Sequence, residues 1–382
     1  MSYNLSQNVL DYLKNTHQEM LDLLEELCQI PAPSGKEELR AEFCKNWFIK
    51  NGVENAYIDE ALNVVIPYNC EDSKDIVVFT AHTDVVFPDT TPLPLKKDGD
   101  VWACPGIGDD TVCVVLMMMV TRYVFANKLK SDRGILFVCN ACEEGLGNLK
   151  GTRQLMKDFE GRITEFYAFD SSYRAVFNKC VGSHRYEIEF TTKGGHSFEG
   201  FGNPNAIAEM SELITQLYKC QVPVNGNSKT TYNVGIVEGG TSVNTIAQSA
   251  KMLYEYRSDD KECLAKMQEF FEKTLEVAKS KGPAEIKITL LGERPCGGEV
   301  DKEKLEKMTN DAIEICQKHS GIPCVATKAS TDCNIPMSLG IPAICLGNHL
   351  GAGAHRREEY LYVSSLEAGY KITAEAILRF FK

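Results

Sequence analysis

The sequence predicts an α/β protein with a smaller α+β domain inserted into it, and three observations carry that prediction. The chain has 382 residues, more than one hydrophobic core usually organises. Its first half alternates short apolar runs with helical patterns, which implies a sheet covered by helices. From about residue 182 the pattern changes to strands of alternating polarity enclosing two helices.

Element by element, the N-terminal stretch 1–30 reads as helix, with Leu21, Leu24, Leu27 and Cys28 at helical spacing. It should stop before "PAPSG", where Pro31 and Pro33 remove backbone donors. Ser34 then offers an N-cap for a helix in "KEELRAEFCKNWFIKNG". Two β-rich runs follow, "AYIDEALNVVIPY" and "DIVVFTAHTDVV", then a Gly-rich turn and an apolar helix from Thr111 to Lys128. "GILFVCNACEE" and "EFYAFDSS" read as buried strands, each running into acidic residues. Sites in such sheets lie outside the carboxyl ends of the strands, where these acidic clusters fall. In 182–296 the order is β-α-β-β-α-β, the ferredoxin-like split motif. The main domain is therefore expected to be discontinuous, 1–181 with 297–382.

Composition narrows the function. A balance of 41 Lys and Arg against 53 Asp and Glu leaves a formal charge of -12, which repels a phosphate backbone and argues against a nucleic-acid partner. Fifteen cysteines, an odd number without a CxxC pair, point to a reducing, cytoplasmic setting and to thiols serving as small buried hydrophobes. They also turn attention from thiolate zinc sites to nitrogen and oxygen ligands. The N-terminus lacks the pattern of a signal peptide. The longest apolar run, Val112 to Val120, falls short of the roughly 20 residues a membrane span needs.

Five places put metal-capable side chains at strand ends or in adjoining turns. In "FTAHTDVV", His82 and Asp84 alternate and so face one side, which lets one ligate a metal while the other orients it. A surface His beside a chance Asp is the simpler alternative. In "PGIGDDTVCVV", Gly106 and Gly108 build a tight turn that delivers Asp109 and Asp110 ahead of a helix. Asp110 also suits a helix N-cap, and that use is compatible with Asp109 entering a site. Glu143 and Glu144 are adjacent after a buried strand, as metal-assisted hydrolysis requires of one ligand and one proton handler. A solvated acidic turn is the alternative there. Asp170 ends an apolar strand, and Gly351 and Gly353 let the chain bend before His355. Two His with Asp and Glu suit zinc better than magnesium or calcium.

"IPAPSGKE", "AHTDVV", "GIGDD", "EEGLG", "FD", "KGGHS", "GGTSVNTIA", "STDCNIP" and "GAHRREEY" occur in this order over nearly the whole chain. In this the sequence resembles the dinuclear zinc exopeptidase and deacylase family, which includes peptidase T, glutamate carboxypeptidase, acetylornithine deacetylase and succinyl-diaminopimelate desuccinylase. The resemblance implies a zinc-exopeptidase-like catalytic domain with a central mixed sheet and helices on both faces, and a lid and dimerisation domain over 182–296. It implies two zinc ions, with cobalt or manganese as substitutes. Asp109 would bridge them, His82 and Asp170 holding one ion and Glu144 and His355 the other. Glu143 would be the general base, and His196 of "KGGHS" would reach the active site of a partner subunit in a homodimer. Asn244 and Arg257 are similar to lid residues that hold a substrate carboxylate, a loop amide and a surface arginine being the simpler reading.

The reaction expected from the resemblance is hydrolysis of an amide bond in a small peptide, closest to the peptidase T branch. Deacylation of an N-acyl amino acid is the alternative, because both reactions cleave an amide beside a charged group. A non-catalytic metal-binding protein on this fold would be expected to lack Glu143 or a ligand, whereas all are present. One departure is Ser171 and Ser172, where many relatives carry Gly. His184, His319 and His349 match no ligand motif, and His17 reads as surface.

Overall fold

In the computed structural model, which describes residues 3–382, two units separate at Cys180 and Gly298: the flanking segments form one, and Val181–Gly297 forms the other. The N-terminal stretch forms two helices rather than one, α1 (Gln7–Asn15) and α2 (His17–Cys28). They break at Thr16, whose hydroxyl bonds back to the Tyr12 carbonyl at 2.8 Å. Residues 1 and 2 of the expected helix lie outside the described residues. Helix α3 (Glu38–Lys50) follows, and Ser34 does not cap it.

The remaining elements of the first unit alternate as the apolar runs suggest. They are β1 (Tyr57–Ile58), β2 (Val64–Tyr68), β3 (Ile76–His82), β4 (Lys96–Asp98), β5 (Val101–Ala103), α4 (Val112–Ala126), β6 (Gly134–Asn140), α5 (Lys150–Asp158), β7 (Ile163–Phe169) and β8 (Ala175–Cys180). One mixed eight-stranded sheet forms when β15 (Val325–Ala329) and β16 (Ala343–Leu346) return to it, in the order β1-β2-β6-β3-β7-β16-β8-β15. Strands β6, β3, β7 and β16 run parallel, so their carboxyl ends share one edge.

Both faces of this sheet are covered, which is why β3 and β6 are buried at every position and read as unbroken apolar runs. Alternation sorts the residues: Val77, Phe79 and Ala81 enter one core, Ile76 and Val78 the other. The first core is filled by α2, α4, α8 (Lys302–Ser320) and α10 (Leu366–Leu378), the second by α5 and α9 (Asn334–Ser338). Phe79 anchors the first core, its ring 5.3 Å from Tyr167 and 5.9 Å from Phe137. Truncating such a residue costs about 3–5 kcal/mol.

The second unit contains β9 (Gly182–Thr191), β10 (Gly195–His196), α6 (Ala206–Leu217), β11 (Thr230–Gly239), β12 (Thr245–Ile246), β13 (Ser249–Ser258), α7 (Lys261–Lys281) and β14 (Glu285–Arg294). The four long strands form an antiparallel sheet in the order β11-β13-β9-β14, the split ferredoxin-like arrangement. Met210, Leu213 and Leu217 of α6 and Leu264, Met267, Phe271 and Leu275 of α7 recur at helical spacing and pack on Ile188, Phe190, Met252 and Tyr254. Asn205 caps α6 and Asp260 caps α7. Among the described residues no helix is long and apolar enough to cross a membrane.

Candidate metal centre

Parallel pairing brings the functional side chains of the first unit together. His82 ends β3 opposite Asn140, the last residue of β6, while Asp170 follows β7 directly. Glu143 and Glu144 lie just past β6. Asp109 arrives on the turn before α4, where the peptide to Asp110 is cis. That turn demands glycine. Gly106 has φ +75, and a Cβ there would fall 2.2 Å from Val85 Cγ1; at Gly108 it would fall 2.8 Å from His349 Nε2. Asp110 does not cap α4: its carboxylate accepts the His82 backbone N–H at 2.9 Å instead.

Each oxygen of Asp109 faces a different imidazole. Oδ1 lies 3.1 Å from His82 Nε2, and Oδ2 lies 3.2 Å from His355 Nε2. Glu144 Oε1 is 3.1 Å from the same His355 nitrogen, yet it makes no hydrogen bond of acceptable geometry. Two ligand groups result, His82 with Asp109 and Asp170, and Asp109 with Glu144 and His355, each with its donor atoms within 4.8 Å of one another. They share Asp109. Ligands at about 2.0–2.2 Å from a tetrahedral ion sit roughly 3.4 Å apart, so the spacing suits one cation in each group. A third group, His82 with Glu143 and Glu144, puts Glu143 within reach of the same space.

Charge argues the same way. Burial, then the neighbouring Asp109, pushes Asp170 up to about 7, and burial raises Glu144 and Asp110 as well. Burial also opposes ionisation of Asp109, but hydrogen bonds from His355 and His82 hold it below the usual carboxylate range. His355 is in turn pushed up to about 10 by Asp109 and Glu144. So many carboxylates in one buried place need positive charge nearby, and divalent ions would supply it while leaving the imidazoles neutral to ligate.

Asp84 has a wider role than orienting His82. The nearer partner of His82 Nδ1 is the Asp84 backbone oxygen at 3.0 Å, the carboxylate standing at 3.5 Å. The Asp84 carboxylate accepts the N–H of Glu143 on Oδ1 and that of Glu144 on Oδ2, both at 2.9 Å. Ser34 adds its hydroxyl to Oδ2 at 2.6 Å, which is why it is not available as a helix cap. Residues that sequence reasoning did not single out support this shell. Glu37, buried, accepts the Cys142 N–H just ahead of Glu143 at 3.1 Å. Arg40, fully buried, donates to the Ile30 and Thr83 carbonyls and to Thr111 Oγ1. Glu359 accepts backbone N–H groups of the Asp109 turn. The one sequence signal for Ser34 and Glu37 was the segment "SGKE".

Among the unmatched histidines, His349 is buried behind Gly108 and His319 bonds Glu375 at 2.7 Å. His184 lies in the second unit, 2.8 Å from the Tyr256 hydroxyl. That unit also holds His196, Asn244 and Arg257. His196 and Asn244 are neighbours: β10 pairs with β12, and the Ser197 N–H bonds the Asn244 carbonyl at 3.0 Å. Arg257 lies elsewhere, near the far end of β13 opposite Ser183, and grips Glu255 through two 2.9 Å bonds.

No curated protein matches the chain by sequence. A tripeptidase from Staphylococcus aureus is similar in structure, with a TM-score of 0.73 and 22% identity over 95% of this chain and 98% of the other. The aminopeptidase PepT from Bacillus cereus has a TM-score of 0.69 and 20% identity over 95% and 98%. A dinuclear metal binding peptidase from Bacillus subtilis has a TM-score of 0.63 and 16% identity over 96% and 99%. Residues 78–379, which include His82, Asp109, Glu143, Glu144, Asp170 and His355, match the model of peptidase family M20/M25/M40.

Proposed function

We propose, from the premise that this chain belongs to peptidase family M20/M25/M40, that it is a two-metal exopeptidase that removes one residue from a small peptide with Glu143 as general base. The observation that carries the reading is the single carboxylate of Asp109 with one oxygen turned to each of two imidazoles. In this reading His82, Asp170 and Asp109 hold one ion, and Glu144, His355 and Asp109 the other. Zinc is the metal the mixed nitrogen and oxygen donors suit, with cobalt or manganese as substitutes. When bound, two such ions would lower the pKa of water towards neutrality and polarise the scissile carbonyl. Glu143, its backbone fixed by Asp84, takes the proton of the attacking water and passes it to the leaving amine.

His196 serves as a donor to the developing oxyanion. Its Nδ1 faces the N–H groups of Phe198 and Glu199 at 3.3 and 3.4 Å, which favours the tautomer with the proton on Nε2. Asn244 and Arg257 hold the substrate carboxylate. Ser249, at the Asn244 end of β13, and Arg257 stand eight residue steps apart along extended strand, a span of about 25 Å. With both residues on one small substrate, this span supports a reading in which a second copy contributes one of them. The working unit is therefore a homodimer, with His196 donated by the partner's lid. Fifteen free cysteines favour the reducing cytoplasm.

The substrate class is tested by offering the purified, metal-loaded protein tripeptides beside N-acetyl and N-succinyl amino acids. Turnover of the tripeptides is expected, in keeping with the likeness to a tripeptidase and an aminopeptidase. Turnover of the acyl amino acids alone would assign the deacylase reaction to the same metal centre.

A further inference from the structure

We propose that Glu359 is the positioning residue for the bridging carboxylate, holding the Asp109 turn in the register that aims its two oxygens at two ions. The inference rests on the two-metal reading above. Glu359 follows His355 by four residues and is only 2% exposed. Its Oε1 accepts the backbone N–H groups of Gly108 and Asp109, each at 2.7 Å, and its Oε2 accepts that of Gly106 at 2.9 Å. Three donors of one turn thus converge on one carboxylate, in the manner of a backbone anion nest. Three backbone donors gathered on one side chain hold the turn firmly.

Three features separate this from ordinary packing. First, no Lys, Arg or His ion pair engages the Glu359 carboxylate among the described residues. Its hydrogen-bond partners are instead the turn's own amides. Second, Glu359 ties together the two segments that supply ligands. Its backbone oxygen accepts the Cys104 N–H at 3.1 Å, and β18 (Tyr360–Tyr362), which it precedes, pairs with β5 directly ahead of the Asp109 turn. The segment before it, from β17 (Gly351–Ala352) onward, carries His355. Asp109, through the side chain, and His355, through the chain four residues before, are therefore both tied to Glu359. Third, the carboxylate fills the space under the turn: a Cβ on Gly108 would fall 3.1 Å from Glu359 Oε1. With the amides of Gly108 and Asp109 turned inward to Glu359, the Asp109 side chain is left facing His82 and His355.

Glu359→Gln keeps the size but removes the charge and sets an amide donor against a backbone donor; Glu359→Asp keeps the charge and shortens the reach. Cobalt(II) or zinc is titrated calorimetrically into metal-free wild type and both variants, and kcat and KM for a tripeptide are read on the loaded proteins. Wild type should take two equivalents. Glu359→Gln should bind the second ion about 10–100-fold more weakly, the usual effect of losing a residue that orients metal ligands. Its kcat should fall about tenfold or more while KM changes less than about twofold, and Glu359→Asp should recover part of both losses. Two equivalents bound by Glu359→Gln with wild-type affinity and wild-type kcat would overturn the proposal. If that variant does not fold, Glu359→Asp decides alone: a weakened second ion supports the role, and wild-type binding with wild-type kcat sinks it. A wild-type protein that binds no divalent ion would instead bring down the two-metal reading, a distinct result.

Discussion

The two units of this chain place their functional candidates in opposite ways. The first gathers six metal-capable side chains at one edge of a sheet, because parallel strands end together. The second distributes His196 and Asn244 to one end of an antiparallel sheet and Arg257 to the other. The first unit can therefore assemble its centre from its own fold. In the proposed function the second unit's residues serve one substrate with the help of another molecule of the chain.

The largest effect is expected in the first unit: Glu143→Ala should lower kcat on a tripeptide by about 10²–10⁴ or more, and near wild-type turnover would remove Glu143 from the role of base. Exhaustive chelation should likewise abolish activity, and two equivalents of zinc should restore it; activity that survives metal removal would end the metal model. In the second unit, His196→Ala should cost about 10²–10³ in kcat with metal content unchanged. Mixing His196→Ala with Glu143→Ala protein sharpens the contrast. Recovery of activity in mixed dimers is expected if the histidine crosses between subunits, and none if each chain uses its own. Smaller still, Ser34→Ala removes one hydrogen bond to Asp84 and should cost about 1 kcal/mol, read as a several-fold fall in kcat.

A last prediction concerns stability away from the centre. Burial works against the Glu375 charge, but hydrogen bonds from His319 and Lys318 hold its pKa below the usual carboxylate value. A carboxylate depressed in the folded state stabilises above its unfolded pKa and loses that contribution as pH falls through the folded one. Glu375→Gln should therefore lower Tm at pH 7 by a few degrees, with the difference closing towards pH 3. A Tm gap that persists unchanged into acid would refute the pairing.

The sheet and the strand-end residues were legible because a strand buried on both faces leaves an apolar run, and a histidine or carboxylate interrupts it where burial ends. His82 and Asp170 stand out in that way, while Asp109 shows through the glycines of its turn. Ser34 and Asp110 were visible as polar residues before helices, but local spacing suggested caps. Their actual partners, the Asp84 carboxylate and the His82 amide, lie 50 and 28 residues away. Glu359 and Arg40 left still less trace, since each bonds chiefly to backbone groups distant in sequence, and backbone groups look alike at every position. The break between α1 and α2 at Thr16 was likewise hidden in a stretch whose apolar spacing reads on as helix.

Asp84 grips two consecutive peptide N–H groups with its two oxygens, and the side chains of those residues, Glu143 and Glu144, are assigned different work. In the proposed function the proton carrier and the ligand are in effect yoked. Neither can be re-aimed without dragging the other, so a change of leaving group or substrate has to be accommodated by the walls around the pair. For anyone redesigning this protein, the yoke marks the part to leave alone.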